Sequence, residues 1–129
     1  MNEAARPSGL FVTGTDTGVG KTLVAAALIR LHAERGWRTA GMKPVASGAF
    51  HDGTIWRNED ADALRSAANV ALPEPLLNPY LFKSATAPHI AAAQEGIAID
   101  ADHLERCYRD IGKLADVVVV EGAGGFIVP

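Results

Sequence analysis

The stretch that decides the fold is Gly14-Thr15-Asp16-Thr17-Gly18-Val19-Gly20-Lys21-Thr22. A short β-favouring run, Leu10 to Thr13, precedes it, and a helical pattern from Lys21 to Arg35 follows it. Glycines let the backbone turn tightly, so that successive amide N–H groups face a phosphate, and the positive end of the following helix adds to the attraction. The order of strand, glycine-rich loop and helix therefore predicts a phosphate-binding loop.

Two side chains at the end of this loop carry its expected chemistry. The Lys21 ammonium would reach the β- and γ-phosphates of a nucleotide, and the Thr22 hydroxyl would bind Mg²⁺. Five residues lie between Gly14 and Gly20, whereas the strict pattern places four there. From these residues alone, the loop predicts a site for either ATP or GTP.

Strand and helix patterns alternate along the rest of the chain. On the first helix the apolar residues at helical spacing are Val24, Ala27, Leu28 and Leu31. The later expected elements are a strand (Thr39 to Val45), a loop (46 to 57), a helix capped by Asn58, a short helix ended by Gly96, a helix capped by Asp100 or Asp102, and a strand (Val117 to Val120). Such alternation predicts an α/β fold, an open and mostly parallel sheet flanked by helices.

The sequence contains a second feature typical of a nucleotide site, an acidic residue directly after a run of valines. Glu121 comes directly after Val117 to Val120, an apolar run typical of a strand buried on both faces. Glycines follow it at positions 122, 124 and 125. A carboxylate at the carboxyl end of such a strand is placed to bind Mg²⁺, directly or through water.

Composition limits the other possibilities. The chain has 129 residues, a net charge of −3 and one cysteine, Cys107, which lies in a helical apolar stripe and is expected in the core. The acidic balance argues against a nucleic-acid partner, and no apolar run approaches the roughly 20 residues that span a bilayer. Without a signal peptide pattern, we expect a cytoplasmic protein with no membrane partner. We expect a flexible tail at residues 1–8, and the N-terminal part of a single domain, from a longer protein, at residues 9–129.

Several segments together resemble the dethiobiotin synthetase family of the P-loop NTPase superfamily, and the loop spacing is the one found in that family. These segments are Phe11-Val12-Thr13-Gly14-Thr15-Asp16-Thr17, Gly41-Met42-Lys43-Pro44-Val45-Ala46-Ser47-Gly48, Arg57-Asn58-Glu59-Asp60-Ala61, Asn78-Pro79-Tyr80 and Val120-Glu121-Gly122-Ala123-Gly124-Gly125. The resemblance implies a P-loop NTPase-like sheet, here ending after the second nucleotide-binding motif.

The resemblance also implies an activity. In the family, 7,8-diaminopelargonic acid, CO₂ and ATP give dethiobiotin, ADP and phosphate in an ATP-dependent ring closure that requires Mg²⁺. An amine of the substrate forms a carbamate that attacks the γ-phosphate, and the second amine then displaces phosphate. The full-length protein is expected to be a homodimer.

Residue roles follow from the same resemblance. Lys43 and Lys21 are expected to be catalytic, Thr17 and Ser47 to hold the diamine or its carbamate, and Thr22, Asp60 and Glu121 to bind the metal. Residues expected to contact the nucleotide flank both motifs: Gly18, Val19, Gly20, Lys21, Thr22, Leu23, Asp60, Glu121, Gly122, Ala123 and Gly124. Taken alone, Lys43 could equally be an ordinary solvated lysine, and Asp60 could be an acid in the first turn of a helix, where the helix dipole favours negative charge.

Three other readings use the same loop. A ParA/MinD-like partitioning ATPase places a signature lysine where this chain has Asp16. An amidotransferase-type synthetase, such as a cobyrinate diamide synthase, carries a glutaminase domain. A nucleotide-binding regulatory module would keep the fold without turnover, although this chain retains Lys43, Ser47, Asp60 and Glu121 together.

Overall fold

A computed structural model describes residues 8–13 and 19–123. The strands are β1 (Ser8–Val12), β2 (Thr39–Met42), β3 (Val45–Ala46), β4 (Phe50–His51), β5 (Trp56–Arg57), β6 (Tyr80–Leu81) and β7 (Val117–Glu121). The helices are α1 (Val19–Glu34), α2 (Glu59–Ala67), α3 (Glu74–Leu77), α4 (Pro88–Glu95) and α5 (Ala101–Gly112). Of the expected N-terminal tail, Ser8 belongs to β1 and residues 1–7 lie outside the described part.

The main sheet has three parallel strands in the order β1-β7-β2. In the centre, all five residues of β7 are buried, because neighbouring strands cover both of its edges and helices cover both of its faces. The register pairs Val12 with Glu121 and Met42 with Val120. The predicted α/β fold with a mostly parallel sheet is therefore confirmed.

Two apolar clusters lie on opposite faces of this sheet. On one face, Val117 and Val119 pack with Ala25 and Ile29 of α1 and Leu64 of α2. On the other face, the buried side chains come from β2, α5, β7 and the segment between α5 and β7, and are Ala40, Met42, Cys107, Ile111, Ala115, Val118 and Val120. The result is a layer of helices on each side of the sheet, as period-2 alternation along a buried strand requires.

The buried face of α1 differs from the expected one. Ala25 and Ile29 are fully buried, whereas Val24 and Leu31 are 52% and 43% exposed. Apolar residues occur on every side of this helix, so periodicity could not select the side that faces the sheet. The expected stripe was wrong at Val24, Ala27 and Leu31, because tertiary contacts fix how the helix is rotated. Leu28, by contrast, does pack against the core.

The segment after β2 also departs from the prediction. The expected strand from Thr39 to Val45 is interrupted at Lys43 and Pro44, and β3 pairs instead with β6. Proline has no N–H to continue a ladder, and the Lys43 N–H donates to Leu77 O at 2.7 Å. The expected loop at 46–57 contains a small antiparallel pair, β4 with β5.

Three helix-end predictions are confirmed. Asn58 caps α2 by accepting from the Ala61 N–H. Asp100, rather than Asp102, caps α5. Gly96 ends α4 in the left-handed conformation, with φ of 69°, which glycine adopts without a steric penalty. Among the described helices, none is long and apolar enough to cross a membrane.

At Gly41, side chains of α1 and α2 approach the backbone of β2 closely. A Cβ atom built on Gly41 would lie 2.8 Å from Ile29 Cδ1 and 2.8 Å from Leu64 Cβ. Both distances are shorter than ordinary carbon–carbon contacts. The two helices therefore pack on β2 at a separation that only glycine permits.

We predict that Gly41→Ala lowers the free energy of unfolding by about 1–3 kcal/mol, because the added methyl group overpacks a filled core. Urea denaturation of the nucleotide-free protein measures this change in the free energy of unfolding. Gly20→Ala is the matched control, since no described atom lies within 4 Å of its Cβ position and alanine favours the helix. A parental denaturation midpoint for Gly41→Ala would contradict the packing argument.

Candidate functional site

The site lies where parallel strands end at one edge of the sheet. Strand β7 ends at Glu121 and β2 ends at Met42, which is paired with Val120. Lys43, the next residue, therefore lies beside Glu121. Val19 begins α1 in the part of the chain that follows β1. The carboxyl edge of the sheet thus gathers residues that are far apart in the sequence, as open α/β folds do at their binding sites.

Lys43 is at the centre of this cluster. Its Nζ atom lies 2.8 Å from Glu121 Oε2 and 3.1 Å from Asp60 Oδ2. The Lys43 side chain is only 5% exposed. Because a buried ammonium is costly unless it is paired, these two contacts remove the interpretation of Lys43 as an ordinary solvated lysine.

Glu121 is fully buried and accepts a second hydrogen bond. The Thr22 hydroxyl donates to Glu121 Oε2 at 3.0 Å, which links the first turn of α1 to the end of β7. Within the described part of the chain, Glu121 Oε1 is buried without a hydrogen-bond partner. An orphaned buried carboxylate oxygen retains free coordination capacity.

Asp60 reaches the cluster from the first turn of α2. The Asn58 carboxamide oxygen accepts from the Ala61 N–H at 3.0 Å and starts the helix, which turns Asp60 toward Lys43. The Asp60 side chain is 39% exposed. Asp60 therefore does more than complement the helix dipole, since it forms the solvent-facing side of the cluster.

Mg²⁺ fits the donors present here. Oxygen ligands are the ones it prefers, and it commonly takes one or two carboxylates together with phosphate oxygens and water. Thr22, Asp60 and Glu121 supply a hydroxyl and two carboxylates, and Glu121 Oε1 is unpartnered among the described residues. Within residues 8–13 and 19–123, no group of three or more His, Cys, Asp or Glu residues could hold a metal by itself.

Lys21 lies on the same edge. Its Nζ atom donates to Gly122 O at 3.3 Å, and the Gly122 N–H donates to Val12 O at 3.1 Å. These contacts connect the start of α1 with the turn after β7. The ammonium is thereby held beside the ends of β1 and β7.

For the other expected site residues, the structure gives positions that do not test their roles. Val19 and Gly20 begin α1, Leu23 is largely exposed on its first turns, and Ala123 follows Gly122. Ser47 is half-buried directly after β3. Thr17, Gly18 and Gly124 lie outside the described residues. The roles proposed for these residues remain predictions.

Asn78 is a site-supporting residue to which the sequence alone assigned no role. Its buried carboxamide donates to Lys43 O at 2.7 Å and to Tyr80 O at 3.1 Å. Together with the bond from the Lys43 N–H to Leu77 O, it fixes both backbone polar groups of Lys43. The signal in the sequence was the Asn78-Pro79-Tyr80 segment, but only the fold shows what this asparagine binds.

Cys107 takes no part in the cluster. It is 4% exposed in the core between α5 and the sheet. Burial, followed by the nearby Asp110 carboxylate, raises the pKa of its thiol. A raised pKa disfavours the nucleophilic thiolate, in agreement with the expected core position.

The helix-flanked parallel sheet, with a lysine, a threonine and two acids at its carboxyl edge, defines a P-loop NTPase-type nucleotide-binding protein. The family model described as "AAA domain" matches residues 8–129. The chain belongs to this family, a P-loop NTPase family that includes dethiobiotin synthetase-like proteins.

We predict that Asn78→Ala loosens Lys43, because the Lys43 carbonyl loses its buried donor. Acetylation of individual lysines, followed by peptide mass spectrometry, should show faster modification of Lys43. Asn69→Ala is the matched control, because the Asn69 carboxamide accepts from the Thr39 N–H at 2.8 Å at the opposite end of β2. Equal Lys43 reactivity in the two variants would show that Asn78 has only a general stabilising role.

Proposed function

We propose that this protein catalyses the ATP-dependent ring-closing carboxylation of 7,8-diaminopelargonic acid with CO₂ to dethiobiotin. The observation that carries the proposal is the buried Lys43 ammonium, held by Glu121 and Asp60 beside the first turn of α1. A generic nucleotide site requires Lys21, Thr22 and an acid. A second lysine, the buried Lys43, supplies at the same edge the extra positive charge that a carboxylation through phosphate transfer needs.

The chemistry has three steps. An amine of the diamine adds to CO₂ and loses a proton, giving a carbamate. A carbamate oxygen then attacks the γ-phosphorus of ATP, and the bond to ADP breaks. Finally, the second amine attacks the carbamate carbon, phosphate leaves, and a proton is lost as the ring closes.

The second step brings two negatively charged groups together, the carbamate and the γ-phosphate. Electrostatic stabilisation is therefore the main task of the protein. In the proposed roles, Lys43 faces the carbamate and the transferring phosphate, while Lys21 binds the β- and γ-phosphates. Thr22, Asp60 and Glu121 would hold Mg²⁺, which supplies Lewis-acid stabilisation of the phosphate oxygens when bound.

The remaining contacts are part of the same proposal. Thr17 and Ser47 would hold the diamine or its carbamate, and the main chain of Gly18, Val19, Gly20 and Leu23 would contact the nucleotide. Gly122, Ala123 and Gly124, in the glycine-rich segment that follows Glu121, would also contact the nucleotide. We also propose that the full-length protein is a homodimer that acts in the cytoplasm.

We predict that the two lysines respond differently to substitution in the full-length protein. Lys43→Gln should lower kcat by about 10²–10³-fold and leave ATP affinity near normal, because Lys43 acts mainly in the transition state. Lys21→Ala should abolish turnover and also weaken ATP binding. Diamine-dependent ADP release and a nucleotide-binding titration measure the two effects.

The control for both lysine variants is Lys113→Gln, since Lys113 is exposed and paired with Asp110 on α5. Parental kcat in Lys43→Gln with diaminopelargonate would refute the carboxylase proposal. ATP hydrolysis that ignores the diamine would favour a partitioning ATPase, and nucleotide binding without any turnover would favour a regulatory module.

We also predict that Glu121→Gln and Asp60→Asn raise the Mg²⁺ concentration needed for half-maximal activity, because each removes a negative charge from the proposed metal site. Asp62→Asn is the matched control on the same helix, since Asp62 pairs with Arg57 and Arg65. Unchanged Mg²⁺ titrations for both Glu121→Gln and Asp60→Asn would remove these acids from the site.

A further inference from the structure

The two carboxylates proposed to hold Mg²⁺ already have a cation between them. Lys43 Nζ lies 2.8 Å from Glu121 Oε2 and 3.1 Å from Asp60 Oδ2. The same oxygen, Glu121 Oε2, also accepts from the Thr22 hydroxyl at 3.0 Å. The lysine that would act on the substrate is therefore bound to all the acidic groups proposed for the metal.

We propose that the Glu121–Asp60 pair is a cation site with two alternative occupants, the Lys43 ammonium and Mg²⁺. Metal binding displaces the ammonium, which then becomes available to the substrate. The inference rests on the proposed metal site, and it adds that metal binding and exposure of the lysine are one coupled event.

Coexistence of the two cations on this pair is unfavourable. Mg²⁺ binds its oxygen ligands at about 2.0–2.1 Å, so an ion joined to both carboxylates takes the position between them. The Lys43 side chain is 5% exposed and that of Glu121 is 1% exposed. With so little water to screen them, an ammonium and a divalent ion in contact with the same carboxylate repel each other strongly.

The structure provides a way for the exchange to occur without backbone movement. The Lys43 N–H and C=O are fixed by Leu77 O and the Asn78 carboxamide. Rotation about side-chain bonds is therefore sufficient to move Nζ. Asp60 is the half-exposed member of the pair, and it gives an incoming ion a route from solvent.

A metal bound only through Glu121 Oε1 is the rival arrangement. This atom is buried and unpartnered among the described residues, so a metal bound there would leave Lys43 in place on Oε2. Removing the ammonium strengthens metal binding in both arrangements, because it removes a like charge from the same carboxylate. Only exchange predicts that metal binding also frees the Lys43 ammonium; in the rival arrangement Lys43 keeps its contact with Oε2 and its low reactivity when metal is bound.

The first experiment titrates nucleotide-free protein with Mn²⁺, a paramagnetic substitute for Mg²⁺, and measures free Mn²⁺ by electron paramagnetic resonance. Lys43→Met removes the ammonium and keeps an unbranched side chain. We expect it to bind Mn²⁺ at least about tenfold more tightly than the parent, in the range of coupling between contacting residues. Lys113→Met, which removes an exposed lysine from its acid partner, should keep parental affinity.

A second experiment uses the unmodified protein, so it remains informative if Lys43→Met fails to fold. Acetylation of Lys43, measured by peptide mass spectrometry, should become severalfold faster at saturating Mg²⁺. Lys113 acetylation should not change. An Mn²⁺ affinity of Lys43→Met equal to or weaker than the parent's, or Lys43 acetylation that Mg²⁺ leaves unchanged, overturns the exchange.

Neither experiment contains ATP, CO₂ or diamine. Exchange can therefore be demonstrated in a protein that turns over a different substrate, and it can fail in a protein that makes dethiobiotin. Turnover with diaminopelargonate decides the proposed function separately.

Discussion

The contact between Lys43 and Glu121 is the constraint on which the rest of the site depends. Removing either ion from water costs several kcal/mol, and a pair in such a position is stable only if further polar groups satisfy it. Here Asp60 and Thr22 supply those groups. Four elements are thereby tied together, since the four residues come from α1, α2, β7 and the end of β2.

This constraint explains the rotation of α1. The helix offers apolar side chains in every direction, so hydrophobic burial alone leaves several orientations of similar energy. Thr22 must face Glu121 to make its hydrogen bond, and Ala25 and Ile29, three and seven positions later, then face the sheet. The polar contact thus selects which apolar residues form the core, and Val24 and Leu31 remain exposed.

Two residues near the ion pair, Gly41 and Asn78, hold the end of β2 in position. Gly41 lets α1 and α2 approach β2 closely, and Asn78 holds the peptide groups at the point where β2 ends. Buried ion pairs contribute little net stability and leave a large penalty when one partner is lost. An arrangement of this kind is better explained by chemistry at the site than by a need for stability.

The sequence by itself determined the local features of this protein. The strand and the helix on either side of the glycine-rich segment, the Asn58 and Asp100 caps, the Gly96 stop and the valine run before Glu121 each depend on neighbouring residues, so they could be predicted from spacing and residue type. Only the tertiary structure decided the face of α1, the break at Lys43 and Pro44, the role of Asn78 and the pairing of Lys43 with Glu121 and Asp60. These depend on strand register and on groups distant in sequence, 78 positions apart for Lys43 and Glu121, because buried charges must find partners wherever the fold brings them together.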